Sequence, residues 1–441
     1  MSEHYLGIDW GTHSSKWCYQ SAGKLVVGPI WDSRVWREGN SLSAFPLERR
    51  HEGSQGEVGL KRKLIQDPDQ PFWEGERPRL GVTLGEATTF SLLALLEDAY
   101  KTVRRRGIDL KTAEHVTVRL AHPNWIAPHN LPALKSYRDS AVVALSIFVS
   151  ENPGEMAEKA YSIPVDTLRK TVLSHKACID KLKPFPAEYS YKGYRDVLKG
   201  KTGDVTWEFI FESCAAGFPY LLEVESEVYE KGFRPPRQRA QKWTGRKILV
   251  VDIGAGSTDA GYMLRTFRPE AKEPMLIWLP PADALELAGN WLTDRIRQQY
   301  VREGKPRTTW IEAEIHKTTR KDWYDRPFVD EWCRRITEHV ADYVRQIPDT
   351  RRLPDHPPLE IVLTGGSSSV QPIREAFVRV VQKALRDRGI RSQRLVDGTI
   401  LLNATIRNAR LDEADSARYA VCIGASHAQL VDLTHYPEGL T

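Results

Sequence analysis

The chain has 441 residues, with 63 Lys and Arg against 58 Asp and Glu, a formal net charge of +5 and 41% hydrophobic residues. At roughly 150 residues per domain this is an ordinary globular composition with room for two or three folding units, which excludes a small stapled scaffold. Cys18, Cys178, Cys214, Cys333 and Cys422 lack C-x-x-C spacing, which argues against a disulfide framework and a zinc site and favours a reducing, cytoplasmic setting.

No window approaches the ~18 uninterrupted apolar residues of a membrane span, and the N-terminus has no basic segment leading into an apolar run. Neither membrane insertion nor secretion is indicated. Nucleic acid is not indicated either, because acids and bases are interleaved, and the basic run from Arg234 to Lys242 reads as a solvated loop.

In chain order, Tyr5 to Lys16 (YLGIDWGTHSSK) runs from an apolar strand into Asp-x-Gly and then small hydroxyl residues. Trp31 to Phe45 reads as further strands, Gly85 to Val103 as an amphipathic helix on Phe90, Leu92, Leu95, Leu96 and Tyr100, His115 to Leu120 as a strand, and Asn130 to Phe148 as a helix. The polar segment from about 150 to 205, broken by Pro153, Pro164, Pro184 and Pro186, reads as an insertion with a partner-binding surface. A strand from Thr206 to Phe211 then leads into Glu212-Ser-Cys-Ala-Ala-Gly-Phe at a helix start, and a Pro235 to Gly245 loop crosses to the second half.

There Ile248 to Gly261 (ILVVDIGAGSTDAG) repeats the opening pattern. Helices follow at Asn290 to Val301, Trp310 to Thr318 and Phe328 to Gln346; the strand Leu359 to Leu363 enters Thr364-Gly-Gly-Ser; and further helices start at Pro372 and Ala414. A strand-turn signature recurring half a chain apart predicts two similar α/β lobes: lobe I over 1–246, lobe II over 247–409, and a C-terminal helix in 410–441 returning to lobe I.

Strand ends in α/β proteins collect ligands because helix N-termini and unpaired N–H groups converge there. Asp9 and Asp252 stand at such ends, where a carboxylate can hold Mg2+ through water. Gly11, Gly254 and Gly256 let backbone approach a phosphate, and Thr12, Ser14, Ser15, Ser257 and Thr258 add hydroxyl donors. Either copy alone reads equally well as a turn with local Asp bonds; two copies favour a phosphate clamp. Glu212 can order a water beside the metal or serve its helix dipole, and Gly365-Gly366-Ser367 reads as a strand-to-helix turn with a serine cap or as a nucleotide contact.

Taken together, GIDWGTHSSK, FESCAAGF, VVDIGAGSTDAG, LTGGSSSVQPIREAF and YAVCIGASHAQL resemble five ordered motifs of the actin, sugar-kinase and heat-shock ATPase superfamily. The chain is most similar to the nucleotide-binding domain of the 70-kDa heat-shock (DnaK-type) chaperones, and the resemblance spans most of it. It implies an α/β, two-lobed actin-like fold with duplicated ribonuclease-H-like lobes, a central nucleotide cleft, ATP or ADP, and Mg2+. By that resemblance Asp9, Asp252 and Glu212 form the metal shell, Thr12 faces the γ-phosphate and attacking water, and Gly254, Ala255, Gly256 and Ser257 hold phosphates. Gly365, Gly366 and Ser367 flank adenosine, and Glu314 and Lys317 touch adenine and ribose, although a surface ion pair at that spacing reads as well.

The family places a catalytic lysine after Gly-x-x-Ala-Lys; here GEVGLKRKLI offers Lys61 or Lys63 instead, which points to weak hydrolysis. No interdomain linker or β-rich peptide-binding domain follows. The resemblance therefore implies a slow Mg-dependent ATPase, a nucleotide-controlled, chaperone-like switch for a separate protein partner or client. Two alternatives remain: a small-molecule kinase, with Asp9 as a candidate catalytic acid, and an actin-like filament-forming protein.

Overall fold

The computed structural model describes residues 3–22, 24–47, 56–57, 59–66, 71–157, 160–188, 190–218, 246–268, 273–278, 282–305, 308–347, 359–390, 392–397 and 413–427. It is mixed α/β and divides into two compact units. Unit 1 takes the described residues up to Phe211 and from Val421; unit 2 takes those from Glu212 to Ala420. The division thus falls at Phe211 and Glu212, ahead of the 246 boundary expected from sequence. The predicted Pro235 to Gly245 loop, the Arg234 to Lys242 run and the chain beyond His427 lie outside the described residues.

Unit 1 opens with the antiparallel hairpin β1 (His4–Asp9) and β2 (Ser14–Ser21), followed by β3 (Lys24–Val27), β4 (Trp31–Asp32), β5 (Val35–Glu38), β6 (Ser41–Ala44) and β7 (Gly56–Glu57). Then come α1 (Leu60–Gln66), α2 (Leu84–Arg104), β8 (Val116–His122), α3 (Leu131–Ser150), β9 (Glu155–Ala157), β10 (Ala160–Pro164), α4 (Val165–His175), α5 (Tyr191–Val197), β11 (Lys199–Thr202) and β12 (Val205–Phe211). The main sheet runs β11-β12-β8-β1-β2-β3, with β1, β8 and β12 parallel. Helix α2 starts where Thr83 and Glu86 close a reciprocal capping box, worth about 1 kcal/mol. It is pinned to the hairpin region by indole donors: Trp10 to Ser91 at 3.0 Å, and Trp17 and Trp31 to Asp98 at 2.7 and 3.0 Å.

Part of the 150–205 segment is built into unit 1. Strand β10 pairs antiparallel with β6, from Tyr161 opposite Ala44 to Pro164 opposite Ser41, in a second sheet β7-β5-β6-β10-β9. Tyr161, Ile163 and Leu168 are fully buried, so these residues contribute to this unit's core, while Leu173 is exposed. Its polar average composition hides a short strand whose alternate residues, Tyr161 and Ile163, face inward.

In unit 2 a helix over 212–218, α6, precedes β13 (Arg246–Ile253), β14 (Thr258–Arg268) and β15 (Glu273–Trp278). Helices α7 (Gly289–Arg302), α8 (Trp310–Thr319) and α9 (Pro327–Gln346), strand β16 (Leu359–Thr364), α10 (Gln371–Asp387), β17 (Ser392–Asp397) and α11 (Glu413–Ala425) follow. The sheet order is β15-β14-β13-β16-β17. Its core gathers Leu249, Val251, Ile361 and Leu363 from the strands with Trp332, Ile336 and Val340 of α9 and Phe377 and Val381 of α10, the helical residues recurring at three- and four-residue spacing.

The two sheets repeat one plan. In each, the first strand lies between an antiparallel hairpin partner and a later parallel strand; a third strand extends the hairpin, and a fifth extends the parallel side. The duplication expected from the recurring motif therefore extends to strand order and direction.

Candidate functional site

The shared plan superimposes positions in register. Asp9 is opposite Lys16 across the first hairpin and opposite Ala121 on β8; Asp252 is opposite Asp259 across the second hairpin and opposite Thr364 on β16. Gly11 and Gly254 are then equivalent, as are Thr12 and Ala255, Ser14 and Ser257, and Lys16 and Asp259. Both turns are half-exposed, at 11–14 and at 254–257, between buried flanks. In the first turn a Cβ on Gly11 would lie 2.2 Å from the Ser14 carbonyl oxygen, so glycine is required by close backbone packing.

The charges differ between the two turns. In unit 1 the Lys16 ammonium donates to Asp9 Oδ2 at 2.8 Å, and the residues are 7% and 6% exposed. In unit 2 the position facing Asp252 is a second aspartate, Asp259, which accepts from Ser257 Oγ at 2.8 Å. Two of the hydroxyls expected to meet phosphate are taken up by the framework. Ser15 is buried and shares a 3.0 Å hydrogen bond with Ser33, which donates to the Gly11 carbonyl at 2.7 Å. Thr258 is buried and donates to the Leu287 carbonyl at 2.8 Å. Thr258 opens β14 and Ser15 is the second residue of β2, both buried, which leaves Thr12, Ser14 and Ser257 half-exposed.

At the neighbouring strand end of unit 1, β8 closes on His122, the register counterpart of Gly365. Its Nδ1 lies 2.6 Å from the Pro123 carbonyl and its Nε2 3.3 Å from the Tyr194 hydroxyl, and its ring packs on Phe211. Burial is the main cause that pushes the imidazole pKa down to about 3; the Pro123 carbonyl opposes it and the charge of Lys61 adds a smaller lowering. Lys61 is itself 4% exposed. Lys63 instead has Arg77 and Arg79 as its charged neighbours and is depressed mainly by burial. Of the two lysines read from sequence, Lys61 is buried and Lys63 half-exposed.

Unit 2 assembles a denser cluster. Lys317 is 1% exposed and donates to both oxygens of Glu314 at 2.7 and 2.9 Å and to Ser367 Oγ at 3.4 Å. Ser367 Oγ in turn lies 3.3 Å from the Gly254 carbonyl, and Thr293 donates to Glu314. Lys317 thus links α8 to the Gly365-Gly366-Ser367 turn from a buried position, with Glu314 partly exposed beside it. Gly365 has φ +85°, and a Cβ there would stand 2.2 Å from Asp252 Oδ1, so glycine lets this turn lie against the carboxylate. Gly366 is exposed, while Glu212 is buried at the first position of α6.

Three further residues, Gly289, Asn290 and Lys16, contribute. Gly289 and Asn290 donate their backbone N–H groups to the Gly254 and Ala255 carbonyls at 3.0 and 2.8 Å, fastening the N-terminus of α7 to the turn. A Cβ on Gly289 would sit 2.1 Å from Ser367 Oγ and 2.8 Å from Lys317 Nζ. Lys16 was read only as the end of a motif. The available signals were Ala-Gly-Asn ahead of an amphipathic helix and a lysine seven places after Asp9, the hairpin distance that also separates Asp252 from Asp259.

The donor set fits a Mg-nucleotide. Carboxylates, half-exposed glycine turns and hydroxyls lie at equivalent strand ends, and Mg2+ typically takes one or two carboxylates with water and phosphate oxygens. Among the described residues no three of His, Cys, Asp and Glu converge into a metal-binding group. No helix among them is long and apolar enough to cross a membrane. No protein-family model matches the chain, and no curated protein matches its sequence.

Proposed function

We propose that the chain binds ATP with Mg2+ and hydrolyses it slowly, as a nucleotide-controlled switch for a separate protein partner, in the manner of the actin-like, DnaK-type ATPase domains it resembles. The observation that carries this reading is the register-for-register duplication of an Asp-bearing glycine turn, with the Gly254, Gly289, Lys317, Glu314 and Ser367 cluster beside the second copy. Two sheets of one strand plan that each present such a turn suit a ligand with a polyphosphate chain and a nucleoside end.

In this reading the backbone of Gly254 to Ser257 and of Gly11 to Ser14 donates to phosphate oxygens, where glycine removes the Cβ obstacle. Glu314, Lys317 and Ser367 hold the nucleoside end. Asp9, Thr12 and Glu212 orient the attacking water, and Lys61 supplies a positive charge toward the transferred group. The metal, when bound, neutralises charge developing on the phosphates. Hydrolysis is then mostly positioning plus electrostatics, and loss of the terminal phosphate changes which turn residues are engaged.

Steady-state ATP turnover measured against protein concentration, with Asp9→Asn and Asp252→Asn alongside, tests the reading. Slow Mg-dependent turnover proportional to concentration, lost in both variants, is expected. Upward curvature would point to the filament alternative, and absence of both turnover and ATP binding would remove the reading.

A further inference from the structure

Cys18 on β2 and Cys422 in α11 stand 404 positions apart in sequence, yet their sulfurs lie 2.9 Å from each other and both residues are fully buried. Both belong to unit 1. A disulfide needs its sulfurs about 2.05 Å apart, a gap that small side-chain rotations close from here. The meeting has a backbone cause. Gly7 is the register partner of Cys18 across the β1–β2 hairpin, so the two positions share one face of the sheet. A Cβ on Gly7 would stand 2.4 Å from the Cys422 carbonyl oxygen, so the missing side chain lets residue 422 lie against that face and brings its sulfur to Cys18.

We propose that Cys18 and Cys422 are a reversible disulfide site, oxidised by a peroxide and reduced by a dithiol, which ties the chain at 421–427 to the hairpin that carries the 11–14 turn. In the oxidation one sulfur attacks a peroxide oxygen, the O–O bond breaks, and the thiol proton joins the leaving hydroxide as water, leaving a sulfenic acid. The second sulfur then attacks the sulfenic sulfur, and its proton leaves with the hydroxyl group as a second water. Two thiols and one hydrogen peroxide thus give one disulfide and two waters. A dithiol returns both hydrogens and ends as its own disulfide.

Burial sets the pace. It pushes the Cys18 thiol well up, the hydrogen bond and charge of Cys422 add to this, and Lys16 opposes it. The thiolate is the reacting form, so oxidation proceeds when 421–427 lifts from the sheet, and the closed bond is shielded from reductant by the same burial. Slow closing and slow release follow. The site stands independently of the ATP-binding reading.

The test treats the folded full chain with hydrogen peroxide, blocks the remaining thiols, digests the protein without reduction and maps linked peptides by mass. A peptide pair joined through Cys18 and Cys422, lighter by two hydrogens than the separate peptides and released by dithiothreitol, is expected. Backbone amides within 421–427 should then exchange with deuterium about tenfold more slowly, or slower still, in the oxidised chain, and lose that protection after dithiothreitol. The variant Cys178→Ser/Cys214→Ser/Cys333→Ser should behave like the parent, whereas Cys18→Ser should give neither the linked peptide nor the added protection. Mapping on the parent chain decides the matter even if a variant fails to fold. Free thiols at both positions after peroxide, separate oxidation of each, or linkage to another cysteine or between two chains would overturn the proposal. Linkage that leaves exchange within 421–427 unchanged would overturn it as well.

Discussion

At Gly289 a methyl group has nowhere to go, because Ser367 Oγ, Lys317 Nζ and the Gly254 carbonyl lie 2.1, 2.8 and 3.1 Å from where its Cβ would stand. Gly289→Ala should push Ser367 and Lys317 out of place at a stability cost of roughly 1–3 kcal/mol, the usual range for overpacking. ATP affinity, read by calorimetry on protein whose circular dichroism is unchanged, should fall at least tenfold. Undiminished affinity in a folded variant would remove this cluster from the nucleotide site. Most of the candidate residues at this scale were legible in the chain, because a strand running into Asp-x-Gly is a local pattern. The roles of Ser15 and Thr258 were not, since a hydroxyl's partner is set by the covering segment: Ser33 for one, Leu287 for the other.

Among elements, the last residues of α11 are seated directly on β1. Gly7 faces the Cys422 carbonyl oxygen, Ser426 nitrogen and Ala425 carbonyl carbon at 2.4, 2.6 and 2.9 Å from a hypothetical Cβ, all of them backbone atoms that cannot rotate aside. Arg119 on β8 completes the seat by donating to the Ala425 and His427 carbonyls at 3.2 and 2.7 Å, its guanidinium paired with Glu208 and lying over Tyr5. A glycine inside a strand marks this kind of close backbone approach. Gly7→Val should therefore unseat the helix end at a cost of about 3 kcal/mol or more. Urea denaturation should show a lower midpoint, and limited proteolysis should cut within 413–427 in the variant while sparing the parent chain. Equal protection of that segment in both would mean that the helix end is not held by this contact. The sequence reading expects a C-terminal helix over 410–441 that returns to the first lobe; of α11, the residues from Val421 belong to unit 1 and those up to Ala420 to unit 2.

For the molecule as a whole, buried histidines shape how stability responds to acid. His122 is pushed down to about 3 and His427 to about 4, both chiefly by burial, against 6.5 for an unburied imidazole. A folded chain that keeps them neutral binds fewer protons than the unfolded chain below pH 6.5, so stability falls as pH drops from there toward those values, by up to about 1.4 kcal/mol per pH unit for each histidine. Glu97 and Asp98, raised mainly by burial, act in the opposite sense in mildly acid solution. The comparison must therefore be made between variants. Urea unfolding at pH 7.0 and 5.5 should show His122→Gln losing about 1 kcal/mol less than the parent chain over that interval. An equal loss in the two would contradict a neutral, buried His122.

The amino-acid order by itself determined what depends on near neighbours: the two strand-turn motifs with Asp9 and Asp252, the helices around 84–104 and 371–387, and the duplication of the plan. These follow from side-chain periodicity and glycine's backbone freedom, which act over a few residues. Only the tertiary structure decided that Lys61 is buried while Lys63 is half-exposed, that Lys317 is buried between a partly exposed Glu314 and Ser367, and that 160–164 pairs with 41–44. It likewise set lysine against aspartate at one turn and aspartate against aspartate at the other. Burial, charge pairing and the fate of a hydroxyl are properties of what lies across from a residue, and chain segments far apart in sequence supply that opposite face.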